Sequence, residues 1–148
     1  MPSYQTLDTI ADAYVPALAV IILISLALRL SQPRAALREL ACVLLLAVIA
    51  YGLMALDNYQ RFWAHFGWDY STHTATAAAC AWYLFWLHKG KRIGGGFFHN
   101  KFVRLIWPVS FVLYLGLMRY QDYHSWADML TTLAALTPLF IVHRLATQ

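Results

Sequence analysis

The sequence predicts an all-α membrane protein. It reads as a polytopic bundle of about five transmembrane helices, one domain over residues 1–148, with the N-terminus outside and the C-terminus cytoplasmic. Composition, segment length and charge placement predict it. The chain is 61% hydrophobic and 12% charged, with mean hydropathy +0.53, whereas a soluble domain carries about 25% charged residues. Five apolar segments each approach the ~20 residues that a bilayer requires. Nine of the eleven Lys and Arg residues fall in connections on one side of those segments. Such an excess marks the cytoplasmic side.

The first span is expected over 14–31, and Ser31-Gln32-Pro33-Arg34 ends it, since proline disfavours helix in the residue before it. Ahead of it, residues 4–14 read as a short interfacial helix. The second span is expected over 37–56. A loop follows from Asp57 to Tyr70, with Asp57, Asn58, Tyr59, Gln60, Arg61 and His65 as solvated or interfacial residues. The third span is expected over 71–88, the fourth over 104–120 and the fifth over 124–144. Residues 89–101, basic and glycine-rich, form a cytoplasmic linker. Its glycines join two membrane helices, not the strand and helix that a phosphate-cradling loop needs.

The basic side receives Arg29, Arg34, Arg38, Lys89, Lys91, Arg92, Lys101, Arg104 and Arg144; the other receives Arg61 and Arg119. Because the basic residues sit at segment ends, the net charge of +4 reads as a topology signal, and no nucleic-acid partner is expected. Met1 to Val15 carries Asp8 and Asp12 but no Lys or Arg, so no secretory signal is expected. Cys42 and Cys80 lie in different spans without metal spacing and read as buried small hydrophobes. The six tryptophans, Trp63, Trp68, Trp82, Trp86, Trp107 and Trp126, suit belts at the headgroup level.

Ionisable residues at membrane-embedded positions are expensive and usually mark function. His73 opens the third span, and His124 and Asp128 open the fifth, just after Arg119. All four fall on the predicted outer side. Each has a structural explanation when taken alone. An acidic residue is favoured in a first helical turn, and a cation is favoured at a helix C-terminus. Ser71 or Thr72 is expected to cap the third span, which leaves His73 as an interfacial histidine in a capped turn. Together they carry a sharper meaning. His124 and Asp128 are four apart, so they are expected to share a helix face, where a carboxylate fixes the imidazole tautomer. Arg119 offers a bidentate clamp for phosphate, and the N–H groups at the start of the third span offer an anion site. Two imidazoles, a carboxylate, a guanidinium and a helix N-terminus suit phosphoryl transfer through a phosphohistidine.

Ser71-Thr72-His73 followed by Ala77 resembles the Ser-Gly-His motif of the type 2 phosphatidic acid phosphatase superfamily. Arg119-Tyr120-Gln121-Asp122-Tyr123-His124-Ser125-Trp126-Ala127-Asp128 resembles its later Arg and His-x-x-x-Asp motif. Asp69-Tyr70-Ser71-Thr72-His73-Thr74 is also similar to the matching motif of sphingomyelin synthases, which are lipid phosphotransferases. The family's first motif is not visible, and Arg61 is the one upstream basic residue on the outer side. Thr72 stands in place of Gly and Met118 in place of a frequent Ser. The Arg-to-His spacing is one residue short, and the chain has one predicted span fewer than is common in the family.

The resemblance implies a metal-independent lipid phosphate or pyrophosphate phosphatase that needs no cofactor. His124 is the implied nucleophile, Asp128 its partner, and His73 the acid and then the base. Arg119, Ser71, Thr72 and Arg61 are the implied phosphate ligands. The implied partners are membrane lipids and a lipid phosphate substrate, and the implied location is a bacterial inner membrane with the site facing outward. Phosphatidate, phosphatidylglycerol phosphate, a prenyl pyrophosphate and a lipid A phosphate all remain open, as does the oligomeric state. So do a lipid phosphotransferase with the same residues and an inactive, lipid-binding member of the fold. A haem or metal protein is the remaining rival, since His65, His73, His88, His99, His124 and His143 are present. However, no span holds a bis-histidine pair.

Overall fold

Local chemistry sets most of the helix boundaries. Five α-helices follow one another in the computed structural model, which describes residues 3–87 and 101–146. They are α1 (Tyr4–Ala27), α2 (Pro33–Gln60), α3 (Thr72–Leu87), α4 (Lys101–Tyr120) and α5 (Trp126–Ala146). Ser3 caps α1, its Oγ accepting from the Thr6 N–H at 3.2 Å. Pro33 opens α2 at a position where a missing N–H is harmless. Arg61 ends α2 in the left-handed region at φ 51°. A short 3-10 turn, Ala64–Phe66, then closes on Gly67 at φ 72°, where a side chain would be strained.

α3 is the centre of the bundle and packs against all four other helices. Its alanines make this possible. Ala75, Ala77, Ala78, Ala79 and Ala81 are all buried, and small residues let helix backbones approach closely. Leu84 on α3 meets Leu136 and Phe140 of α5 and Leu46 of α2 in one buried cluster. A second cluster joins Ala77 to Ala11 of α1, Met118 of α4 and Met129 of α5. The outer helices turn apolar residues outward: Leu23, Val48, Leu113 and Leu145 are all exposed.

Among the described residues, α1, α2, α4 and α5 are long and apolar enough to cross a membrane. This matches a multi-pass membrane protein. The described part of α3 has 16 residues and covers nearly all of the third expected span, whose last residue, 88, lies outside the described residues. It is shielded by its neighbours, which is why its face is alanine-rich rather than leucine-rich.

Four expectations change. Residues 4–14 are not a separate interfacial helix, because α1 is continuous from Tyr4 and packs its start against α4 and the α4–α5 loop. The Tyr4 hydroxyl donates to the Gln121 carbonyl at 3.3 Å, and the Tyr14 ring stacks on Tyr114 at 4.4 Å. α2 runs on to Gln60, so residues 57–60 are helix, not loop. Trp63 is buried, its Nε1–H donating to Thr131 Oγ1 at 2.9 Å, so it belongs to the core and not to a headgroup belt. Cys42 and Cys80 are half-buried. The glycine-rich linker falls largely at 88–100, outside the described residues, along with His88 and His99.

Candidate functional site

The end of α2, the start of α3, the end of α4 and the start of α5 meet at one end of the bundle. Polar contacts hold this end together. Asp57 Oδ1 accepts from the Trp63 N–H at 2.9 Å, which fixes the turn after α2. The Tyr70 hydroxyl donates to the Ala50 carbonyl at 2.7 Å. The Asp8 carboxylate of α1 accepts from the Tyr123 hydroxyl, and that bond pushes the Tyr123 phenol up to about 12.

His73 and His124 face each other here. Their ring centroids are 6.1 Å apart with planes inclined at 50°, and the Tyr123 ring lies 6.5 Å from His73. His73 is exposed in the first turn of α3, and His124 is half-buried. Burial and the neighbouring His73 hold the His124 imidazole below the usual histidine range, while Asp128 and Asp69 oppose that shift without cancelling it. The lowered proton affinity favours the neutral ring, whose free nitrogen lone pair can act as a nucleophile.

His124 does not lie on a helix. α5 begins at Trp126, so His124 and Asp128 do not share a helix face as expected. Ser125 and Asp128 form a reciprocal cap instead. Ser125 Oγ accepts from the Asp128 N–H at 3.2 Å. Asp128 Oδ2 in turn accepts from the Ser125 N–H at 2.8 Å and its hydroxyl at 2.7 Å. This is a capping box with aspartate in the acidic position. The other oxygen, Oδ1, accepts from the Asp69 N–H at 2.9 Å. Both carboxylate oxygens are thus committed to backbone and cap, and Asp128 reaches His124 through its field rather than a hydrogen bond.

Ser71 is the cap of α3. Its Oγ accepts from the Thr74 N–H at 3.2 Å and donates to Thr74 Oγ1 at 2.8 Å. Its own N–H donates to Thr132 Oγ1 at 3.0 Å. Ser71 is fully buried, so neither its hydroxyl nor its N–H is open to a phosphate in this geometry. Thr72, by contrast, lines a cavity with His73.

Arg119 pairs with Asp122 three residues later, with the side chains 44% and 83% exposed. Such an exposed pair is worth little, so an anion can replace Asp122 readily. Arg61 is exposed, and its carbonyl sits 2.6 Å from His65 Nδ1. Among the described residues, neither guanidinium bonds to either histidine. Asp12 of α1 is a site neighbour that the motifs do not reveal, since it lines the same cavity as Thr72 and His73. Its signal is an acid four residues before Pro16, where the polar start of α1 gives way to its apolar run. Among the described residues, no three His, Cys, Asp or Glu side chains are grouped to hold a metal. Compared with known proteins, the chain matches no family model, no curated protein and no solved structure.

Proposed function

We propose that the chain is a lipid phosphatase that hydrolyses a phosphate or pyrophosphate group through a phosphohistidine on His124. The observation that carries the reading is the facing pair His73 and His124, 6.1 Å between centroids, at one polar end of an apolar bundle. A neutral His124 attacks phosphorus, and the bond from phosphorus to the leaving oxygen breaks. Protonated His73 gives that oxygen its proton. Water then attacks the phosphohistidine and yields a proton to His73, and the phosphorus–nitrogen bond breaks to restore the imidazole. Splitting the displacement in two lowers each barrier. Acid–base help from His73 contributes typically ~10²–10⁴-fold.

The remaining groups stabilise charge, on which phosphoryl transfer depends. Arg119 exchanges Asp122 for the phosphoryl oxygens, the Thr72 end of α3 supplies N–H donors, and Arg61 adds distant positive charge. Asp128 steadies the cationic phosphohistidine through space. The Lys and Arg distribution supports an outward-facing site, the periplasmic side of a cell inner membrane. There the acyl or prenyl chain stays in lipid while the headgroup meets the histidines. The motif resemblance around residues 69–77 and 119–130 supports the same chemistry.

The test is phosphate release by the purified protein from phosphatidate, phosphatidylglycerol phosphate, a prenyl pyrophosphate and a lipid A phosphate. Release from at least one is expected, and His124→Ala is expected to abolish it. Full activity in that variant would remove His124 as the nucleophile.

A further inference from the structure

The backbones of α4 and α5 hardly approach each other, because both helices lean on α3. A cavity of about 270 Å³ lies between the three. On α3 its wall is Ala78, Ala81, Trp82 and Phe85, at i, i+3, i+4 and i+7, and α5 repeats that spacing from Leu133 to Phe140. One stripe of each helix therefore faces the gap. Pro108 and Phe111 close the α4 side. The lining is apolar apart from Thr137 and the indole N–H of Trp82. That N–H is buried and has no acceptor among the described residues.

Two arginines mark the end of this cavity away from the histidines. Arg104 lies four residues before Pro108 on α4, and Arg144 lies four residues after Phe140 on α5, so each continues the stripe of its helix. The Arg104 guanidinium stacks over the Phe85 ring and that of Arg144 over the Trp86 ring, each 4.6 Å from the centroid. The two rings are 5.3 Å apart. Both cations are thereby held at the end of α3, and a stacked guanidinium keeps its N–H edge for an anion. Acidic side chains are scarce here. Glu39 is bonded to Arg29, and the other acidic residues lie in the half of the bundle that holds the histidines. Arg104 makes no ion pair among the described residues, and its buried Nε has no acceptor there. Topology accounts for cations at this end, but not for their seating on rings at the mouth of an apolar cavity.

We propose that this cleft binds an anionic phospholipid of the surrounding membrane, with one acyl chain between α4 and α5 and the phosphate on Arg104 and Arg144. Basic pockets between transmembrane helices take anionic headgroups, and a guanidinium meets a phosphate through two parallel hydrogen bonds. Trp82 lies one helical turn, about 5.4 Å, deeper than Trp86. An ester carbonyl just inside the phosphate gives its indole N–H the acceptor it lacks. A zwitterionic lipid brings its own cation to two arginines, and like charge disfavours it. A partner helix, ~10–12 Å across with its side chains, is too wide for a cavity of this volume. The cleft opens at the end opposite the histidines, and its occupancy does not depend on the phosphohistidine reading.

The experiment places the purified full chain in phosphatidylcholine bilayers that contain phosphatidylglycerol brominated on its acyl chains, and reads tryptophan fluorescence. Bromine quenches an indole only at close contact. Stronger quenching than by brominated phosphatidylcholine at the same mole fraction is expected, and Trp82→Phe should remove most of the difference. Arg104→Gln and Arg144→Gln should each lower the preference for phosphatidylglycerol about tenfold, as for a lost hydrogen bond to a charged group. Arg34→Gln, an equal loss of charge on α2, should leave the preference as it is. Thr137→Phe fills the cavity from an exposed position and should lower the preference with both arginines intact. Equal quenching of the wild-type chain by the two lipids would overturn the site. So would a difference that survives whole in Trp82→Phe or Thr137→Phe, or a fall in Arg34→Gln as large as in the other arginine variants. If an arginine variant does not fold, the wild-type comparison and Thr137→Phe decide alone.

Discussion

The Asp128 carboxylate holds the backbone of Asp69 at 2.9 Å. One side chain thereby ties the turn that leads to His73 to the helix start that follows His124. Asp128→Ala removes this tie and the reciprocal cap with Ser125. Loss of a cap costs ~0.5–2 kcal/mol, and the exposed Asp69 N–H turns to water at little further cost. A lower unfolding midpoint in detergent is expected, together with a fall in phosphate release larger than the stability loss explains. Asp128→Asn should recover part of the midpoint and little of the activity, because its one amide oxygen can accept on only one of the two sides that Asp128 serves, and without the charge. Equal recovery of both would reduce Asp128 to a cap.

The opposing influences on His124 predict opposite pH shifts. Burial and His73 lower its proton affinity, and Asp128 raises it. The free histidine titrates near 6.5, so the folded ring stays neutral until the pH falls below that value. The acid limb of the rate profile should therefore lie below about 6.5. His73→Gln removes a repelling neighbour and should move His124 titration up, whereas Asp128→Asn should move it down. The stability sign follows from the same shift. Below 6.5 the unfolded chain binds a proton that the folded site resists, so stability is lost as pH falls through that window. Imidazole NMR titration of the three proteins checks both directions, and a shared direction would contradict the geometry.

Ser71 separates structure from chemistry. It sits in the motif position that suggests phosphate binding, yet it is fully buried and spent on Thr74 and Thr132. Ser71→Ala should cost about 1–3 kcal/mol through the lost cap and the abandoned Thr74 hydroxyl. At a temperature where the variant stays folded, its KM for lipid phosphate should be unchanged. A raised KM with an unchanged midpoint would return Ser71 to the phosphate site.

The apolar segments are legible in the sequence because length and hydropathy fix them directly. The pairing of His73 with His124 is legible because two loops on the same predicted side must lie close in a small bundle. Helix ends are harder, because capping decides them. Ser125 starts α5 two residues later than apolarity suggests, which moves His124 into the turn and redirects Asp128. α1 reads as two pieces because its polar start looks interfacial, while its true partners, Gln121, Tyr123 and Tyr114, lie a hundred residues or more away in tertiary contact. Asp12 is missed for the same reason.

The far end of the bundle gives the last prediction. Arg29, counted with the cytoplasmic charges, is not a free surface cation. It bonds to Glu39 at 2.6 Å with side chains 8% and 16% exposed, and the Tyr83 hydroxyl donates to the other Glu39 oxygen at 3.1 Å. The group joins the α1–α2 turn to central α3. Removing one partner of a buried pair strands the other charge and typically costs ~3–5 kcal/mol, while replacing both with apolar residues is often tolerated. Arg29→Met and Glu39→Leu should each lower the unfolding midpoint sharply, and the double variant should be the more stable of the three. A double-mutant cycle in detergent measures this, and strictly additive losses would show that the pair is not coupled.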